Sequence, residues 1–205
     1  MKILAFDTCL TACSVAVMDG DHVLATRAEP MARGHQERLA PLVQEMMGKA
    51  GLAFDRLDRV GVTVGPGSFT GLRVGLAFAK GLSAALDRPA IGVGLLEALA
   101  EGLPGRVAAV LDAKRDQVYL QTFLGGEAQT PPRALSLSEA RAELEIFAPT
   151  TLVGTGGELM DRPGAQIISA DHADPVAIAR LARLKPVTPP RPLYLRAPDA
   201  RLPGT

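Results

Sequence analysis

Apolar positions along the chain switch between two periods. Residues 3–6 form an apolar run that stops at Asp7-Thr8, residues 14–18 a second that stops at Asp19-Gly20-Asp21, and residues 23–28 a third. Runs of this length, bounded by Asp and Gly, predict three strands, the last two joined as a hairpin. Beyond the loop 29–34 the period becomes helical, with Leu39, Leu42, Val43, Met46 and Met47 on one face up to the break at Gly51. Pro41 within that stretch implies either a helix that properly starts near Leu39 or a kink. A β-branched run at 60–64 predicts a strand, and residues 71–86, rich in helix formers and free of Pro, predict a helix. A strand at 90–93 and a short helix at 95–101 complete a βββαβα half.

At Arg106 the pattern restarts. Residues 107–111 predict a strand ending in Asp112, and 117–123 its hairpin partner. Ile3-Leu4-Ala5-Phe6-Asp7-Thr8 and Ala108-Ala109-Val110-Leu111-Asp112-Ala113 share four apolar residues running into an Asp and a small residue, which is a weak internal repeat. The second copy is shorter: a Pro/Gly loop at 125–132, a helix near 138–147, strands at 151–153 and 166–169 around the turn Gly154-Thr155-Gly156-Gly157, and a closing helix capped by Asp174 with Pro175 at its first position. The expected division is an N-terminal lobe, 1–104, and a smaller, degenerate lobe, 105–205, with a cleft between them. Asp7 and Asp112 would face that cleft, where they could hold a metal–phosphate. Each could equally close its own turn through backbone N–H groups.

Between the 60–64 strand and its helix lies Gly65-Pro66-Gly67-Ser68-Phe69-Thr70-Gly71-Leu72-Arg73. The backbone N–H groups at this helix start could hold an anion, or Ser68 or Thr70 could cap it; local chemistry favours the cap. The helix is apolar nearly all round, with Arg73 and Lys80 its only charged residues, so both sides need cover. Its own sheet is one cover. The other is a helix of the same domain, with both cations snorkelling, or another subunit. Gly71, Gly75 and Ala79 at four-residue spacing make a smooth ridge for close backbone approach. A chain this small has few elements to cover both sides, which favours the subunit interface. On that reading, Gly75→Glu abolishes association and leaves the monomer folded.

Composition sets the outer bounds. The 205 residues suffice for one large domain or two small ones, and 22 basic against 22 acidic residues give a net charge of zero, which argues against a strong, independent nucleic-acid binder. Cys9 and Cys13 make no metal pattern, the start does not read as an export signal, and no apolar run reaches membrane-spanning length, so a reducing cytoplasm is the expected setting and no membrane is involved. Pro186, Pro189, Pro190 and Pro192 open a tail expected to be extended rather than part of a core.

The opening strand and hairpin, His35 with Leu39-Ala40-Pro41-Leu42, the run from Gly65 to Arg73, and Pro192-Leu193-Tyr194-Leu195-Arg196-Ala197-Pro198-Asp199-Ala200 together resemble the TsaB (YeaZ) family from residue 1 to 200. The Gly65–Arg73 run is highly specific, whereas the Asp-Thr opening is shared with many actin-like ATPases and sugar kinases. The resemblance implies the two-lobed actin-like ATPase (ribonuclease H-like, ASKHA) α/β fold with a degenerate second lobe. It implies a non-catalytic subunit of the bacterial machinery forming N6-threonylcarbamoyladenosine at position 37 of ANN-decoding tRNAs. Its partners would be the catalytic paralogue TsaD, bound through the N-terminal-lobe helices, and the ATPase TsaE; it would self-associate as a homodimer by the same surface, and meet tRNA only through the complex. On that surface Leu39, Leu42, Val43 and Met46 would join Leu72, Gly75, Leu76 and Ala79 in half of a four-helix contact, with Arg73 and Lys80 at its edge for a partner carboxylate or a nucleotide phosphate.

No cofactor or metal is expected. The paralogue's metal site uses paired histidines at helical spacing, whereas four residues either side of His35 stand Met31 and Leu39. No zinc helix motif and no Ser/His/Asp or Cys/His set can be assembled, and a secreted peptidase or growth factor conflicts with the missing export signal. The competing class is an ATP-dependent small-molecule kinase of the same fold. Its residual nucleotide site would be Asp7, Thr8, Asp112 and Gly156, but Ala113-Lys114-Arg115 after Asp112 is not a phosphate loop.

Overall fold

A computed structural model describes residues 1–196 of the chain, so the last residues of the 192–200 motif lie outside the described part. The first sheet is built from β1 (Lys2–Asp7), β2 (Ala12–Asp19), β3 (His22–Pro30), β4 (Arg59–Thr63) and β5 (Ala90–Val93), in the order β3-β2-β1-β4-β5. β1, β2 and β3 form an antiparallel meander, while β1, β4 and β5 run parallel. The parallel crossovers carry α1 (His35–Ala50) and α2 (Phe69–Leu86), and α3 (Leu95–Ala100) leads out of the sheet.

The second sheet contains β6 (Arg106–Lys114), β7 (Gln117–Leu124), β8 (Glu127–Ala128), β9 (Arg133–Ser136), β10 (Thr151–Val153) and β11 (Gln166–Ile168), in the order β11-β10-β6-β7-β8, with β9 also on β7. α4 (Leu137–Phe147) and α5 (Pro175–Leu184) complete the chain. β8 and β9 are additions to the sequence reading. The two-residue β8 lies within the Pro/Gly loop 125–132 and the four-residue β9 just beyond it, and pairing with β7 defines both. Ser136 and Glu139 cap α4 reciprocally, and the Asp174 carboxylate accepts the Val176 N–H at 2.9 Å to start α5.

The repeat places β1 and β6 at corresponding central positions, each with an antiparallel partner on one side and a parallel one on the other. α5 departs from the expected division of the chain, because it packs against β1, β2 and β4 of the first sheet. It takes the face opposite α2. A Cβ at Gly61 would lie 2.9 Å from the Ala182 methyl of α5, while the next residue, Val62, faces Gly75 of α2. Gly61 is glycine because the helix comes that close.

Alternation along β6 divides the core the same way. Val107, Ala109 and Leu111 join the large cluster that includes α3, α5 and the first sheet. Ala108 and Val110 face the smaller cluster with Ala140 and Leu144 of α4. One continuous apolar core therefore joins the two lobes.

Candidate functional site

Thr8, Asp7 and Cys9 form the turn after β1, and the glycine-rich loop closes over it. The Ser68 N–H donates to the Cys9 carbonyl at 2.8 Å, and the Thr8 hydroxyl donates to the Gly71 carbonyl at 2.7 Å. A Cβ at Gly71 would lie 1.9 Å from the Thr8 oxygen, and one at Gly67 2.6 Å from the Cys9 oxygen. The glycines thus serve backbone-on-backbone contact. The Ser68 hydroxyl accepts the Gly71 N–H at 3.3 Å and caps α2, which settles the cap reading for this loop.

Asp7 is fully buried beneath this seal. Its Oδ1 accepts the Cys9 N–H at 2.9 Å and the Thr63 hydroxyl, while its Oδ2 has no partner. Burial raises its pKa above the ordinary carboxylate range, partly offset by the Thr63 and Cys9 hydrogen bonds. Beside it on β2, the buried Ser14 hydroxyl is also unpartnered. A carboxyl held this way is an anchor for a turn. Buried and turned to their own loop, Asp7 and Thr8 are not open to a metal–phosphate, which corrects their reading as nucleotide ligands. Asp112 is spent differently: its carboxylate accepts the Lys114 N–H at 2.7 Å and pairs with the Lys114 ammonium at 2.6 Å. Although partial burial opposes them, these Lys114 contacts leave its pKa below the ordinary value. Thr155 and Gly156 lie against it, the Thr155 hydroxyl accepting the Asp112 N–H at 3.1 Å. The second-lobe half of the expected nucleotide site is thus closed by its own hairpin.

The helix pair also needs correction. Leu39, Leu42, Val43 and Met46 of α1, and Leu72, Gly75, Leu76 and Ala79 of α2, are all buried in the core beneath the helices. The smooth ridge meets this chain's own sheet and turn: a Cβ at Gly75 would lie 2.7 Å from the Thr8 hydroxyl and 3.5 Å from Val62. Apart from Leu39, which also reaches the wall of the groove between the two helices, these positions present no side chain at the surface. Of the ten expected interface residues, only Arg73 and Lys80 are exposed.

The accessible face lies one step around each helix. Gln36, Ala40, Phe69, Arg73, Ala77 and Phe78 line most of a groove of about 520 Å³ between α1 and α2. Phe69 is 44% exposed, a large apolar side chain at the helix start. The sequence signal for this face was available in the same helical period, with Phe69, Arg73 and Ala77 displaced by two residues from the small-residue ridge of Gly71, Gly75 and Ala79. Pro41, at an exposed position, is accommodated within α1, which starts at His35.

Among the described residues, no group of three or more His, Cys, Asp or Glu could hold a metal, and no helix is long and apolar enough to cross a membrane. His35 is the first residue of α1, and both cysteines are free and buried.

A family model described as TsaD: tRNA N6-adenosine threonylcarbamoyltransferase matches residues 23–132. The tRNA threonylcarbamoyladenosine biosynthesis protein TsaB of Escherichia coli (strain K12) is 37% identical over 124 residues, 58% of this chain and 53% of that protein. The match thus spans about half the length of that relative. A crystal structure from Pseudomonas aeruginosa, described as an uncharacterized protein with similarity to peptidase YEAZ, superposes with a TM-score of 0.83 at 30% identity, covering 95% of this chain and 99% of that one. The ROK hexokinase of Thermus thermophilus superposes at a TM-score of 0.54 and 15% identity over 90% of this chain and 99% of that one, a likeness of fold alone. The architecture is the two-lobed α/β fold of actin-like ATPases and sugar kinases.

Proposed function

The chain belongs to the TsaB (YeaZ) family, and on that premise we propose that it is a non-catalytic subunit in the formation of N6-threonylcarbamoyladenosine in tRNA. It binds the catalytic paralogue TsaD through the exposed face of α1 and α2, works alongside the ATPase TsaE in the cytoplasm, and self-associates by the same face when TsaD is absent. The observation that carries the non-catalytic reading is the sealed Asp7 carboxyl. A kinase of this fold needs charged groups open to a metal nucleotide, and here the carboxyl of the first lobe is buried with a raised pKa while that of the second is paired with Lys114.

Light-scattering chromatography of the chain alone and mixed with its cognate TsaD tests the proposal. The expected result is a homodimer that exchanges into a one-to-one heterodimer. Titration calorimetry with ATP and Mg²⁺ is expected to show no micromolar binding by this chain alone. A monomer indifferent to TsaD that binds ATP would replace the subunit reading with the small-molecule kinase.

A further inference from the structure

The C-terminal segment crosses the molecule at the start of α2. The Leu193 N–H donates to the Val64 carbonyl at 2.8 Å, and the Arg196 guanidinium donates to the Ala113 carbonyl at 2.5 Å, so residues 193–196 tie the first lobe to the second. Between these two anchors Tyr194 stands 47% exposed. Its ring lies 5.5 Å from that of Phe69, and its hydroxyl accepts the Arg73 Nε–H at 3.4 Å. The Arg73 guanidinium carbon stacks 3.8 Å over the Phe69 ring. Two exposed aromatic rings and an arginine, contributed by segments 121 residues apart in the chain, are thus assembled at the groove between α1 and α2.

That assembly has a chemical direction. Among the described residues, Arg73 is the one charged side chain lining the groove, whose other lining residues are apolar or neutral. Phe69 occupies the guanidinium face and Tyr194 its Nε–H, while the terminal NH₂ groups have no acceptor among the described residues. A guanidinium fixed on an aromatic face, with its terminal donors free, matches a carboxylate in bidentate geometry. Aromatic and arginine side chains are also the residue types that dominate interface energetics.

We propose that the segment 193–196 is part of the docking surface, with Tyr194 holding Arg73 over Phe69 so that its free edge takes a carboxylate of TsaD. This rests on the subunit reading above. The occupant is the paralogue rather than a second copy of this chain because, among the described residues, the groove supplies a cation and no carboxylate of its own to answer it. Arg73 is the contact residue and Tyr194 a positioning residue.

The test titrates fluorescently labelled chain with purified TsaD. Arg73→Lys keeps the charge but loses the fork, and is expected to weaken binding about tenfold; Tyr194→Ala is expected to weaken it about fivefold. Tyr194→Phe, which keeps the ring on Phe69, should lose less. Combining Arg73→Lys with Tyr194→Ala should cost less than the product of the two, because both act through one contact. Raising the salt should weaken the wild type more than Arg73→Gln, which a purely structural role for the stack would not produce. Wild-type binding unchanged by Tyr194→Ala would overturn this inference and leave the subunit reading intact. Independent losses that multiply would also overturn it. Absence of any wild-type complex would remove the subunit reading itself. Loss confined to the homodimer would make the occupant a second copy and overturn the assignment to TsaD.

Discussion

Thr63, at the end of β4, donates its hydroxyl proton to the Asp7 carboxyl at the end of β1, and this bond ties two parallel strands together under the glycine-rich loop. The other carboxyl oxygen is buried without a partner, so the ionised form of Asp7 is costly.

The sign of the resulting pH dependence follows from the raised pKa. A carboxyl whose folded pKa lies above its unfolded value of 3.8 holds its proton more tightly in the native state. It disfavours folding progressively as pH rises from about 3.8 through the folded pKa, and by a constant amount above that. Asp7→Asn keeps an oxygen for the Thr63 hydroxyl and the Cys9 N–H while removing the charge. It is expected to melt a few degrees above the wild type at pH 7, with the difference shrinking as pH falls toward 3.8. A lower melting temperature at pH 7 would mean that Asp7 is ionised and stabilised by groups other than those seen here.

The glycines of α2 give a second, internally controlled prediction. Gly71→Ala would place a methyl 1.9 Å from the Thr8 carbonyl oxygen, an overpacking expected to cost about 3 kcal/mol and to lower the melting temperature by roughly 6–12 °C. Gly81 lies in the same helix with nothing within 4 Å of its added Cβ. There Gly81→Ala should stabilise by about 0.5–1 kcal/mol through helix propensity alone. Thermal melts of the two variants read both signs. Gly75→Glu should fail to fold, since its side chain would enter the space of Thr8 and Val62. That is the opposite of what the small-residue ridge implies when read without the sheet.

The contrast between Gly75 and Ala77 shows what was legible in the sequence. Helical and strand periods located α1, α2 and the strands of the first sheet, because their buried residues repeat with the geometry of the element. They also marked α2 as needing two covers. Periodicity does not say which side meets the chain's own sheet, and the smooth ridge at Gly71 and Gly75 was ambiguous between a partner helix and the β1–β2 turn. The close contacts with Thr8 decide it. The seal over Asp7 was equally invisible, since it depends on residues 63 and 68 approaching residues 7 and 9 in space. The site of Tyr194 depends on a tail with no periodic pattern at all.

The cysteines allow a chemical check on the same region. Burial pushes the Cys9 thiol well above its ordinary pKa, and the neighbouring Asp7 adds to the effect. Cys13 is pushed up to about 12, again by burial first. Thiolates are the reactive species, so neither residue should react with a disulfide reagent at pH 8 within minutes, and both should react once the chain is unfolded in guanidinium. Prompt labelling of one thiol in the native protein would show that the loop over the β1 turn opens readily.

The docking face is best tested where a charge leaves the core intact. Ala77 is exposed on α2 and lines the groove, while Ala40 faces it from α1. Ala77→Glu and Ala40→Glu each put a bulky carboxylate on the groove wall at an exposed position, where it leaves the core untouched. The expected outcome is an unchanged melting temperature at low protein concentration, with self-association and TsaD binding weakened by about 10–100-fold. Ile146→Glu supplies the control: Ile146 is 86% exposed on α4, on the second lobe, and removing its apolar surface should leave both associations as they were. Should Ile146→Glu break the complexes while Ala77→Glu spares them, the partner would sit on the second lobe and the groove between α1 and α2 would lose its assigned role.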